Sequence, residues 1–179
     1  MPALFIAVLI AAGTTPADKL VASALDQVTW GTRYDASYAS LKYPGGDVPR
    51  DRGACTDVVI RAYRTIGKDF QKLIFEDKKK RPAAYPKYSG QKGPDRNIDH
   101  RRCRNLVVYL NKFGKKPGGK DWKPGDLVFW RLDSGLDHVG LVVNTRGASG
   151  DYEVVHNIAG TAKEDVLNRW TITGHYRYP

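Results

Sequence analysis

The stretch Gly53-Ala54-Cys55-Thr56-Asp57-Val58-Val59-Ile60-Arg61-Ala62-Tyr63-Arg64-Thr65-Ile66-Gly67 decides the reading of this chain. Val58, Val59, Ala62, Tyr63 and Ile66 recur at i, i+1, i+4, i+5 and i+8, the stripe of a helix that buries one face. Gly67 suits its end, because glycine accepts the backbone turn that closes a helix. The spacing predicts a helix over 55–66, with Cys55 at its first turn. Free backbone N–H groups and the positive end of the helix dipole stabilise a thiolate there. Cys55 is therefore the candidate nucleophile.

Working outward, the segment before this helix begins with a second one over 16–30. Pro16 sits near its start, and Leu20, Val21, Ala24, Leu25 and Val28 fall on one face. Residues 31–53 are rich in turns but carry Tyr34, Tyr38 and Tyr43, which reads as an ordered loop. Residues 68–100 read as a short helix and a long excursion, and a further helix is expected over 104–113 through Leu106, Val107 and Leu110.

From Trp122 the period changes. Lys123-Pro124-Gly125-Asp126 is a turn into a strand over 127–130. Residues 138–143 form a second strand, 147–151 a turn, and 152–157 a third strand, hairpin partner of the second. The last strand is expected over 170–178. Helices first and a meander of strands after them define an α+β domain with a largely antiparallel sheet.

A thiolate needs an imidazole within reach and a third group to orient it. His138 opens an apolar strand just after the polar loop 133–137, where a side chain is both fixed and accessible. On pattern alone it reads more readily as a surface histidine at a strand boundary. His156, on the neighbouring strand, is the candidate orienter, since strands about 4.8 Å apart bring side chains of one face together. Asn157 is the chemical alternative. Side chains alternate, so only one of the two faces His138.

The 179 residues suit one domain, expected over 16–179, with a core that needs no metal or disulfide. Two cysteines, Cys55 and Cys103, are too few for a disulfide framework. A pairing of the two would silence Cys55, so both are expected free in the active protein. Lys and Arg outnumber Asp and Glu by 29 to 19, a formal charge of +10 that reads equally as a match for a polyanionic partner and as a well-solvated basic surface. No recognition helix, zinc-finger spacing or aromatic RNA-binding motif accompanies it, so no specific nucleic acid is expected. His100, His138, His156 and His175 show no metal-ligand spacing, so no metal or other cofactor is expected.

Residues 1–15 open on Met-Pro-Ala-Leu-Phe-Ile-Ala-Val-Leu-Ile-Ala-Ala-Gly, which resembles the apolar core of a secretory leader although no Lys or Arg precedes Lys19. The run is too short for an ordinary membrane span. Export to the periplasm or exterior is expected, with a buried N-terminal helix as the alternative.

Four motifs carry a resemblance. Gly53-Ala54-Cys55-Thr56-Asp57-Val58-Val59, Lys123-Pro124-Gly125-Asp126-Leu127-Val128, His138-Val139-Gly140-Leu141-Val142-Val143 and Val154-Val155-His156 resemble the NlpC-type cysteine peptidases, papain-like enzymes that cleave peptidoglycan peptides. A closer resemblance is to the bacterial domain of unknown function 1287. It is carried by 43–49, Arg52-Gly53, Cys55-Thr56-Asp57-Val58-Val59, 94–102, His156-Asn157-Ile158 and 172–178.

The NlpC-type resemblance implies a papain-like fold with helices packed on an antiparallel sheet. It implies Cys55 as nucleophile, His138 as base and His156 as third member of a triad. It also implies a monomeric cysteine amidase acting on peptidoglycan or another anionic envelope polymer. An upstream tyrosine belongs to the oxyanion site in such enzymes; Tyr34 is the candidate, with Tyr38 and Tyr43 open. The chain departs from the usual Asp-Cys-Ser-Gly, reading Ala54-Cys55-Thr56-Asp57, and its hairpin between the two histidines is longer. An acyltransferase using the same pair and a non-catalytic wall-binding module are the alternatives.

The block 95–102 has no counterpart in the NlpC pattern. Arg96, Arg101 and Arg102 are either a clamp for substrate carboxylates or an ion-pair network that orders the loop. His100 reads as structural, and Cys103 as a small buried residue.

Overall fold

A computed structural model of the protein describes residues 14–179. The expected leader therefore lies outside the described residues, apart from Thr14 and Thr15. Thr15 already belongs to the domain: its hydroxyl accepts the Asp18 N–H at 3.1 Å, and the Asp18 carboxylate accepts the Thr15 N–H at 2.9 Å. This reciprocal cap starts α1, Pro16–Val28.

Two short parallel strands follow, β1 (Arg33–Tyr34) and β2 (Arg52–Gly53). They bracket the tyrosine-rich loop and deliver the chain to α2, Cys55–Arg64, two residues shorter than the apolar stripe suggests. Then come α3 (Phe70–Lys80), two single-turn 3₁₀ segments at Pro82–Ala84 and Asp99–Arg101, and α4 (Cys103–Phe113). The strands are β3 (Leu127–Arg131), β4 (Asp137–Arg146), β5 (Tyr152–Asn157), β6 (Thr161–Glu164) and β7 (Thr171–Tyr176).

The five C-terminal strands form one antiparallel sheet in the order β6-β5-β4-β3-β7. This is the α+β architecture with helices on an antiparallel sheet that the sequence predicts. Strand β6 is an addition to that expectation. Its segment Thr161-Ala162-Lys163-Glu164 has no apolar alternation because it is an edge strand with no face in the core.

Alternation assigns the two faces of the sheet. Leu127, Phe129, Val139, Leu141, Val143 and Val155 meet the helices, where Val59, Ala62, Tyr63 and Phe70 are fully buried. Each such Val, Leu or Phe side chain contributes about 1.5–3 kcal/mol on leaving water. Val128, Trp130, Val142 and Val154 face the other way and pack under Val166, Leu167 and Trp170.

The turn before β3 is tied to the chain end through Asp126. Its buried carboxylate accepts from Lys123 N at 2.9 Å, from Arg177 Nε and Nη2 at 2.7 and 2.8 Å, and lies 2.8 Å from His175 Nε2. His175 thus has a structural partner and stacks on Trp122 at 3.5 Å.

Candidate active site

Cys55 is the first residue of α2 and is 5% exposed. Ala54, at the N-cap, has no side chain able to cap the helix. Asp57 compensates from inside the first turn: its carboxylate accepts the Ala54 N–H at 2.6 Å. A carboxylate two residues from the nucleophile would oppose a thiolate. Arg101 answers it, placing Nε 3.0 Å from Asp57 Oδ1 and Nη2 2.9 Å from Oδ2. The same guanidinium donates to Ser37 O at 2.7 Å and Asp35 O at 2.9 Å, locking the loop over the helix start.

With its side chain 2% exposed, Arg101 has no donor directed at solvent. The substrate clamp considered for Arg101 therefore gives way to the alternative, a buried ion pair that holds the nucleophile's turn. The reason is that Asp57, buried by α2 and the loop, needs a compensating charge.

Three other groups act on the sulfur. Cys103 holds the Cys55 thiolate most strongly, followed by the His138 ring and the Val139 N–H. Against the opposing effect of burial, these bring the Cys55 thiol down to about 5. The sulfurs of Cys55 and Cys103 lie 3.7 Å apart. Cys103 was expected to be a small buried residue. It is instead half-buried, is the first residue of α4, and faces the same cleft as Cys55.

His138 Nε2 lies 3.0 Å from His156 Nδ1, which leaves His138 Nδ1 for the thiol. The pairing Leu141–Val155 sets β5 so that His156 falls beside Gly140 and diagonal to His138 on one face. Gly140 is required there: a Cβ would stand 2.4 Å from Val154 Cγ1 and 3.0 Å from the Trp130 ring. Trp130 stacks on His138 at 5.6 Å with planes 20° apart, and Trp170 presents its ring to both histidines at 6.1 and 6.0 Å.

Both rings are almost fully buried. Burial, then the neighbouring His138, pushes His156 down to about 4, against the pull of Glu164. His156 Nε2 is 2.8 Å from Glu164 Oε2, a close contact whose direction falls outside hydrogen-bond geometry. Asn157 points elsewhere, its Nδ2 donating to Gly53 O at 3.0 Å and anchoring the strand that leads into Ala54 and Cys55. Of the two candidate orienters, only His156 meets His138.

A cleft of about 230 Å³ opens on Cys55, lined by Tyr34, Tyr88, Arg102, Cys103 and Arg104 among others. Tyr34 is half-exposed, and its hydroxyl is pushed up first by burial and then by the Cys55 charge. Tyr38 instead bonds Asn97 Nδ2 at 2.7 Å, and Tyr43 packs edge-on against Phe75. Arg102 stacks 3.7 Å over Tyr88 and donates to Gln91 at the cleft wall. Arg96 lies 5.9 Å over Tyr43, away from the cysteine. His100 is buried among Arg64, Arg101, Asp69 and Asp99, as a structural histidine would be. Glu164, Trp130, Trp170 and Tyr88 are the site neighbours that sequence reasoning missed. Trp130, closing the expected strand 127–130, and Trp170, opening the expected last strand, are the two with a local signal. Among the described residues no group of His, Cys, Asp or Glu could hold a metal, and no helix is long and apolar enough to cross a membrane.

Residues 21–178 match the family described as Domain of unknown function (DUF1287). The chain is 50% identical over 150 residues to "Uncharacterized protein YijF" of Escherichia coli, covering 81% of this chain and 73% of that one. Its fold is similar to that of NlpC1 from Trichomonas vaginalis, with a TM-score of 0.52 at 16% identity. The match covers 95% of this chain but spans less than half, 46%, of that structure.

Proposed function

The chain belongs to the DUF1287 family and has an NlpC-like, papain-like fold, and from these premises we propose that it is a cysteine amidase of envelope peptides. The observation that carries this reading is the Cys55–His138–His156 arrangement: a thiol at a helix start, backed by an imidazole whose far nitrogen is 3.0 Å from a second imidazole.

In the proposed reaction the Cys55 thiolate attacks an amide carbonyl, and His138, protonated, gives its proton to the leaving amine. Water then attacks the acyl-enzyme, with His138 as the base. In this reading the Cys55 N–H at the start of α2 and the hydroxyl of Tyr34, which lines the same cleft, receive the oxyanion. His156, neutral at pH 7 because burial holds it near 4, accepts the Nε2–H of His138 and steadies the imidazolium.

The substrate class proposed is a peptidoglycan stem or cross-link peptide, met after export by a monomer. Its support is the likeness of fold to NlpC1, a charge of +10, and the arginines Arg102 and Arg104 beside the cleft. The test is digestion of purified peptidoglycan by wild type and by Cys55→Ala, with fragments identified by mass spectrometry. New peptide termini with wild type alone are expected. A folded wild type that releases nothing overturns this substrate class.

A further inference from the structure

The chain has two cysteines in all, and the fold brings both to one cleft. They come from different helices and from positions 48 residues apart, yet their sulfurs are 3.7 Å from each other. Each is the first residue of its helix, so the N-terminal ends of α2 and α4 converge on the sulfur pair. Helix starts favour thiolates, whereas a cysteine that merely fills a core gap sits in apolar surroundings and is inert. Cys103 meets the sulfur of Cys55 and, at 3.7 Å, the carbonyl of Asp137, the residue before His138. The lining of the cleft adds Arg102, and Arg104 paired with Asp137.

We propose that Cys103 is a resolving thiol for Cys55, and that the two form a reversible intramolecular disulfide by exchange with a small-molecule or protein disulfide. The Cys55 thiolate attacks one sulfur of the oxidant, a mixed disulfide forms, and the oxidant's other half leaves as a thiolate. Cys103, deprotonated, then attacks Cys55 Sγ and expels the second half. Two cysteine thiols are oxidised, one disulfide is reduced to two thiols, and the two protons pass to the departing thiolates. The sulfurs must approach by roughly 1.7 Å to reach disulfide length.

The order of events follows from the asymmetry of the pair. Either thiol can donate across the 3.7 Å contact; once Cys55 is ionised, only the Cys103 S–H can, which lowers the Cys55 thiol and raises that of Cys103. Cys55 is therefore the attacking thiolate, and Cys103 stays protonated until it resolves the mixed disulfide. The bond would occupy the sulfur that faces His138, so the oxidised protein cannot form an acyl-enzyme. That consequence alone rests on the amidase reading; the exchange chemistry does not.

The test is incubation of the full chain with glutathione disulfide, read by intact mass and peptide mapping, for wild type, Cys103→Ser and Cys103→Ala. Wild type is expected to lose two hydrogens, to retain no glutathione, and to yield a linked Cys55–Cys103 peptide that reductant reverses. Both variants are expected to keep one glutathione on Cys55. A wild type that accumulates the same stable glutathione adduct overturns the proposal. So does a wild type that keeps two free thiols while the variants are modified. If neither variant folds, the wild-type mass decides alone. A linked peptide in a protein that fails to cut peptidoglycan would leave this inference standing and remove the amidase reading.

Discussion

His156 Nδ1 lies 3.0 Å from His138 Nε2, with Glu164 at 2.8 Å from its other nitrogen. For His138 to carry a proton at Nδ1 beside Cys55, its Nε2–H must meet an acceptor. A neutral His156 with its own proton on Nε2 provides one. His156→Ala is expected to lower kcat by roughly 10²-fold, the lower end of what a positioned acid–base group contributes. His156→Gln, which can still present an acceptor, should recover part of it. Steady-state kinetics on a released wall fragment checks this, and equal loss in both variants would leave His156 a packing residue.

The thiol itself can be read without a substrate. Cys55 is held down to about 5, with Cys103 the largest cause. Its alkylation by iodoacetamide should therefore be half-maximal well below the ordinary thiol range near 8.5. Cys103→Ala removes that donor, so the midpoint should move upward, toward the ordinary range. A pH–rate profile followed by peptide mass decides it; a midpoint near 8.5 in wild type would exclude a preformed thiolate.

The Arg101–Asp57 pair predicts a stability effect near the site. Their side chains are 2% and 4% exposed, so removing one partner strands the other without water. Asp57→Ala is expected to destabilise by about 3–5 kcal/mol. Urea unfolding at neutral pH measures it. A loss under about 1 kcal/mol would indicate a pair worth no more than a surface bridge.

Acid should weaken the fold through His100. Burial, reinforced by Arg64 and Arg101, depresses its pKa from 6.5 to about 4. Between those values the unfolded chain binds a proton that the folded chain refuses. Stability is then full above about pH 6.5 and falls as pH drops toward 4, by on the order of 3 kcal/mol. Denaturant midpoints at pH 7 and 4.5 should show the fall, and His100→Phe should shrink it. A slope unchanged in that variant would assign the effect to other groups.

The architecture was legible because it rests on periodicity. The stripe from Val58 to Tyr63 gives a helix, and alternation from 138 to 143 and from 152 to 157 gives a hairpin. Those patterns place Cys55 at a helix start and His138 and His156 on one sheet face. Helix ends were less legible: α1 stops at Val28 and α2 at Arg64, since apolar residues continue past the last turn to pack as loop. Strand β6 was missed because edge strands bury no alternating face.

Local pattern reveals which residues can do chemistry and which element each one sits on. Helix start, strand end and side-chain parity are short-range consequences of backbone geometry. Tertiary structure alone decided the company they keep. It put Cys103 3.7 Å from Cys55, closed Arg101 onto Asp57 instead of leaving it for substrate, and carried Glu164 and the rings of Trp130 and Trp170 to the histidine pair. The cysteine pair and the Arg101–Asp57 pair join residues 48 and 44 apart, and the others cross between strands or their flanks. They are set by how the helices seat on the sheet and where the excursion folds back, and no window of sequence contains that information.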